Sequence, residues 1–219
     1  MRRTDGSGDG KKTYYLETGT ETWSSVTMLN RRIFSTVLFA STLLPNAIAH
    51  AAGRTSSGMT AFSHSFTTVD GDPLPLSQFE GKAILVVNTA SQCGFTDQYG
   101  PLQALHEEFS DAGLVVIGVP SGDFGGQEFD SNADIKSFVE RGYKVDFPLT
   151  SKTLVSGNNA HAFYKWAGDE VGFVGRPRWN FHKYLIGRDG KVQNWFSTIT
   201  QPDSPALKSA IRRALSSRV

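Results

Sequence analysis

Cysteine is almost absent: the 219-residue chain has one, at position 93. A single thiol excludes an internal disulfide and any Cys-rich zinc site, so neither a disulfide-stapled scaffold nor a structural zinc module is available. Thiol chemistry must therefore borrow a second sulfur from outside. An excess of either charge is also missing, with 22 Lys and Arg against 21 Asp and Glu, a net charge of +1. That balance lacks the basic stripe that grips a phosphate backbone, which argues against nucleic acid as a partner. The five histidines, His50, His64, His106, His161 and His182, show no metal spacing such as His-Glu-x-x-His. What remains, 39% hydrophobic and 20% charged, is an ordinary globular composition rather than a disordered, collagen-like or coiled-coil one.

The charge is unevenly placed. Residues 1–59 carry seven Lys and Arg against four Asp and Glu, while the remaining 160 residues carry 15 against 17. From Met28 the chain reads Met-Leu-Asn-Arg-Arg, then an apolar run from Ile33 to Leu44, then the small residues Ala47, Ala49, Ala51 and Ala52. A basic start, an apolar stretch too short to cross a bilayer of ~30 Å and an Ala-x-Ala exit make a secretory signal peptide over 28–52. Arg31-Arg32 also resembles part of a twin-arginine export motif. Residues 1–27 read as a disordered leader or an over-extended start, and 53–59 as a linker. The expected protein is thus exported, periplasmic or secreted, with no stable membrane insertion, and its domain spans 60–219.

Within that domain, strands and helices alternate. Phe62 to Val69 alternates polar and apolar before the turn Asp70-Gly71-Asp72-Pro73. Two uninterrupted apolar runs, Ala83–Val87 and Leu114–Val119, read as strands buried on both faces. Between them Leu102, Leu105, His106 and Phe109 recur at helical spacing, with Pro101 suited to the first turn. Strand, helix, strand implies a right-handed parallel crossover. Further helices are expected over Ser131–Arg141, over Asn159–Trp166 and from Pro205 through Leu215. Tyr184–Ile186 and Val192–Phe196 flank Arg188-Asp189-Gly190-Lys191, an Asp-Gly turn that makes that pair antiparallel. The fold class is α/β, a three-layer domain with a mixed central sheet.

The chemistry collects where the buried strands end, the edge at which open α/β sheets bind ligands. Cys93 follows the first in Asn-Thr-Ala-Ser-Gln-Cys-Gly-Phe-Thr, and Gln127 follows the second in Phe-Gly-Gly-Gln-Glu. Trp179 and Asn180 precede the hairpin. Peroxide reduction needs a thiolate to attack one oxygen while donors stabilise the sulfur anion and the departing oxygen. Cys93, Gln127, Trp179 and Asn180 supply those parts. A helix start at Pro101 would leave Cys93 well before the first turn, so the side-chain donors carry more of the activation than the helix does. Each residue has a plainer reading: Cys93 as a small buried hydrophobe, Gln127 as a turn residue, Trp179 as core.

The string Lys82–Thr96, the loop Phe124–Glu128 and the segment Trp179-Asn180-Phe181-His182-Lys183-Tyr184-Leu185 together resemble the glutathione peroxidase family, in order and across nearly the whole domain. The resemblance implies a thioredoxin-like fold and an antioxidant oxidoreductase that reduces hydrogen peroxide and organic hydroperoxides. It implies no bound cofactor, with glutathione or thioredoxin as reducing co-substrate, and a catalytic tetrad of Cys93, Gln127, Trp179 and Asn180. Two departures stand out. The slot in which many cysteine members carry a resolving Cys is Glu140, and another position often occupied by Cys is Ser121. A one-cysteine cycle follows, in which Cys93 becomes a sulfenic acid and external thiols reduce it. The resemblance also implies a monomer with an open site that accepts lipid hydroperoxides, because the stretch between Trp166 and Trp179 is short, as in the small monomeric members of the family. The alternative is a thioredoxin-like redox sensor that relays oxidation from Cys93 to a partner protein. A disulfide oxidoreductase fits less well, because Cys93-Gly94-Phe95-Thr96 lacks the second Cys of that motif.

Overall fold

A computed structural model describes residues 58–217. The leader, the signal peptide and all but the last two residues of the linker lie outside the described residues. The described residues begin with a 3-10 turn, Ala61–Ser63, and a short hairpin of β1 (Ser65–Thr67) and β2 (Pro73–Pro75). The alternation over Phe62–Val69 is therefore strand only at its centre.

The main sheet contains β3 (Ala83–Thr89), β4 (Leu114–Pro120), β5 (Lys183–Ile186) and β6 (Val192–Phe196) in the order β4-β3-β5-β6. β3 pairs with β4 in parallel from Ala83↔Leu114 to Thr89↔Pro120, and with β5 antiparallel from Ile84↔Ile186 to Val87↔Lys183. Every residue of β3 and β4 is buried, which is why both read as continuous apolar runs rather than as alternating ones. Each strand still alternates between faces. Leu85 and Val87 meet α1 (Tyr99–Phe109), α2 (Asn132–Tyr143) and α4 (Pro205–Ser216) in one core. Ile84 and Val86 meet α3 (Ala162–Val171) and the β1–β2 hairpin in the other. Burying each large apolar side chain stabilises this arrangement by roughly 1.5–3 kcal/mol.

Helix starts depart from the sequence reading in two places, and α2 runs on to Tyr143, past the expected end at Arg141. α3 starts at Ala162, not Asn159, and continues to Val171. Gly157 takes a φ of 72°, and Ala160 N–H closes a turn on its carbonyl, so the preceding residues are committed to a loop. His161 then caps the helix, its Nδ1 accepting from Phe163 N–H at 3.2 Å. α1 starts at Tyr99, two residues before Pro101, and a 3-10 turn over Thr96–Gln98 runs directly into it. Pro101 is tolerated because its missing N–H would be one of the unpartnered donors of the first turn. The start of α1 thus comes closer to Cys93 than the proline suggests. The other two helices begin as read: Ser131 Oγ accepts from Asp134 N–H at 3.1 Å, and Pro205 opens α4 behind Ser204.

Candidate functional site

Because β5 is antiparallel to β3 and β4, its beginning, not its end, lies at the carboxyl edge of those strands. That places Trp179–His182 beside the loops that carry Cys93 and Gln127, although long stretches of sequence separate them.

After β3 the chain folds into a tight turn around Thr96. Cys93 N–H donates to Thr96 Oγ1 at 3.0 Å, and Thr96 N–H donates back to Cys93 O at 3.0 Å. The same hydroxyl lies 2.9 Å from Ala90 O and 2.7 Å from Cys93 O. Phe95 N–H points at Cys93 Sγ at 3.5 Å. Cys93 is 8% exposed and belongs to the same buried cluster as Tyr99, Phe181 and Val87, yet its sulfur has a backbone donor. It is neither wholly embedded in hydrocarbon nor freely open.

The neighbouring loop clamps this turn from behind. Gln92 N–H donates to Gln127 O at 2.9 Å, and Glu128 Oε1 accepts from Ser91 N–H at 3.2 Å and from Phe129 N–H at 2.9 Å. Burial pushes the Glu128 carboxyl above its usual range, opposed by those hydrogen bonds. From the third segment, Asn180 Nδ2 donates to Gln127 Oε1 at 3.0 Å and to Phe124 O at 3.3 Å. With its oxygen so engaged, the Gln127 amide turns its N–H donors elsewhere. Asn180 is fully buried and spends its own donors on these two carbonyls, so here it orients Gln127 and does not hydrogen-bond the sulfur.

Trp179 is 40% exposed, which rules out the core reading. Its carbonyl accepts from Asn88 Nδ2 at 3.1 Å, and its ring tilts against Phe124 with centroids 6.1 Å apart. Gln127 and Asn180 are thus linked to the Cys93 turn by hydrogen bonds, with Trp179 beside them, but among the described residues none of the three hydrogen-bonds the sulfur directly. Exposed Phe173 and Val174 precede Trp179, with the Arg178 guanidinium 4.7 Å over the Phe173 ring. Ile199, 77% exposed, follows Thr198, whose hydroxyl donates to Asn180 O at 2.7 Å.

Sequence reasoning missed a second layer. Lys183 is fully buried and has no carboxylate partner among the described residues, its Nζ donating to Gln98 Oε1 at 2.7 Å and to Phe181 O at 2.8 Å. Burial lowers its ammonium to about 7. His182 next to it is held down to about 4, chiefly by burial and then by the Lys183 charge. Its ring stacks on Trp195 at 5.6 Å. A lysine heading the apolar string Tyr-Leu-Ile was the visible sign. Of the two positions at which the resemblance raised a further Cys, Glu140 lies exposed on α2 and Ser121 is buried just past β4. No cluster suited to a metal ion occurs among the described residues.

Residues 61–167 match the family model for glutathione peroxidase. The chain is 44% identical over 155 residues to a hydroperoxy fatty acid reductase of Synechocystis sp., covering 67% of this chain and 92% of that protein. The chain belongs to the glutathione peroxidase family. Among solved structures, that of Trgpx in its apo form superposes with a TM-score of 0.60 at 35% identity, covering 74% of this chain and 98% of that one. A thiol:disulfide interchange protein of the thioredoxin family from Chlorobium tepidum superposes with a TM-score of 0.54 at 18% identity, over 72% of this chain and 97% of its own length. The fold is therefore thioredoxin-like, as the resemblance implied. This member of the glutathione peroxidase family is an oxidoreductase that reduces hydroperoxides at the expense of a thiol.

Proposed function

We propose that this peroxidase runs a one-cysteine cycle on Cys93. The carrying observation is the continuous hydrogen-bonded link from the Cys93 turn through Gln127 to Asn180 at one sheet edge. The Cys93 thiolate attacks the terminal oxygen of a hydroperoxide. An S–O bond forms, the O–O bond breaks, and the alkoxide leaves as alcohol with the proton the thiol gave up. Gln127 and the Trp179 indole supply donors to the departing oxygen, while Asn180 holds Gln127 in place. A first external thiol displaces hydroxide as water to form a mixed disulfide, and a second attacks that disulfide and restores the Cys93 thiol.

The substrates we assign are hydrogen peroxide and organic or lipid hydroperoxides. Exposed Phe173, Val174, Trp179 and Ile199 support the larger ones, as does the name of the Synechocystis relative. Glutathione or thioredoxin is the assigned reductant, acting on an exported monomer freed of residues 28–52. N-terminal sequencing of the secreted protein tests the export; a retained Met1 defeats it.

The decisive experiment is a peroxidase assay with a panel of thiols on the wild type and Cys93→Ser. Turnover that vanishes in the variant supports the cycle. Turnover that survives, or a single oxidation that no thiol reverses, overturns it, and the second outcome points to the sensor.

A further inference from the structure

Lys183 belongs to a closed circuit of polar groups that the cycle above does not use. Its Nζ reaches Gln98 Oε1 at 2.7 Å, on the 3-10 turn that leads from Cys93 into α1. It also reaches Phe181 O at 2.8 Å, on the segment that carries Trp179 and Asn180. Gln98 Nε2 continues to Thr198 O at 2.8 Å, and Thr198 Oγ1 returns to Asn180 O at 2.7 Å. All five members are buried, Lys183, Phe181 and Asn180 completely. A buried ammonium held only by neutral oxygens costs stability compared with an apolar side chain of the same size, so its presence needs a reason other than stability.

Geometry gives one. Gln98 N–H bonds Phe95 O at 2.9 Å, and Phe95 N–H is the donor to the Cys93 sulfur. Phe181 holds a φ of 62°, a left-handed conformation costly for a bulky residue, and the Lys183 bond fixes the carbonyl of that same residue. A point donor on a long stem makes two bonds at once to parts of the chain 83 residues apart, Gln98 and Phe181, which no apolar side chain can do.

We propose that Lys183 is a positioning residue that, through Gln98 and Thr198, sets the separation between the Cys93 sulfur and the Gln127 amide that Asn180 orients. The proposal rests on Cys93 being the nucleophile. It acts on peroxide cleavage, which needs both halves in register, and not on thiol reactivity in general.

The test uses Lys183→Met, Gln98→Met and the double variant. Two rates are measured: stopped-flow oxidation of Cys93 by hydrogen peroxide, and alkylation by iodoacetamide, which needs only the sulfur. Each single change should slow oxidation by about 10²-fold, the usual cost of a misplacement near 1 Å. Alkylation should stay within roughly threefold, and the double variant should be no slower than the worse single, because both cut one bridge. Oxidation at the wild-type rate, equal losses in both reactions, or multiplying effects in the double variant overturn the proposal. Should Lys183→Met fail to fold, Gln98→Met and Thr198→Val cut the same circuit from its neutral side and give the same readout. Cys93→Ser assayed alongside separates the two claims: a live Cys93→Ser sinks the nucleophile, whereas a dead Cys93→Ser with wild-type rates in the circuit variants sinks only the bridge.

Discussion

Asn180 Nδ2 donates to Gln127 Oε1 at 3.0 Å, so the only donor pair that Gln127 can offer a ligand is aimed by a residue 53 positions away. Replacing Asn180 by Ala frees that amide to rotate and leaves Phe124 O without its partner. The expected result is a fall in kcat/KM for hydroperoxide of about 10²–10³, the scale of losing an oxyanion donor. Gln127→Ala should match it, and the double variant should be little worse than either single. Steady-state kinetics on the three proteins decides this; independent, multiplying losses would break the link.

Thr96→Val removes the hydroxyl that accepts from Cys93 N–H and faces Ala90 O and Cys93 O. Leaving buried backbone groups unpaired costs about 1–3 kcal/mol. The urea midpoint should drop accordingly, and Cys93 should become more accessible to bulky alkylating reagents.

Gly175→Ala should destabilise by about 1–3 kcal/mol through overpacking. A Cβ there would meet Val171 Cβ at 2.7 Å and Trp195 Nε1 at 2.9 Å, both half-buried side chains packed against the core, and Gly175 O already accepts from the Tyr184 hydroxyl at 2.9 Å. Thermal melts check it, and an unchanged Tm would show that α3 shifts freely.

Acid should loosen the fold through its histidines. His182 is held down to about 4 in the folded protein, chiefly by burial, so between pH 6.5 and about 4 the unfolded chain binds a proton that the folded chain refuses. Stability is fully present above pH 6.5 and is lost as pH falls through that window, by roughly 3 kcal/mol from this residue. His64 and His161 are lowered too, so they act with the same sign. Glu128, raised by burial, acts oppositely: its contribution is present below the ordinary glutamate range and is lost as pH rises through its folded value. Chemical denaturation of wild type and His182→Phe at pH 7, 5.5 and 4.5 should show a shallower acid decline in the variant. Parallel curves would remove His182 from the account.

The sheet was legible because β3 and β4 are buried on both faces, and a run of five or six apolar residues, too short for a helix, rich in Val and Ile and bounded by glycine, reads as a buried strand. Helix starts were less so: Pro101 suggested a first turn that in fact opens at Tyr99, and Asn159 a helix that waits for His161 to cap it. Boundary errors of this size arise because caps depend on side-chain geometry rather than on residue type. At the site, the three segments could be read from their motifs, but the direction of each hydrogen bond could not. Asn180 looked like a donor to sulfur and instead spends its donors on Gln127 and Phe124. Thr96, Gln98, Glu128 and Thr198 gave no signal, because a polar residue in a loop reads as solvated until the fold closes over it.

Phe181 faces two demands that only its backbone twist reconciles. Its ring must anchor inward, edge-on to Tyr99 at 5.5 Å, while Asn180 immediately before it must reach across to Gln127. Glycine would adopt the twist gladly and lose the anchor; any other residue keeping the anchor inherits the strain. Laboratory evolution toward heat tolerance should therefore find this position closed, and gather its improvements on the outer helices instead.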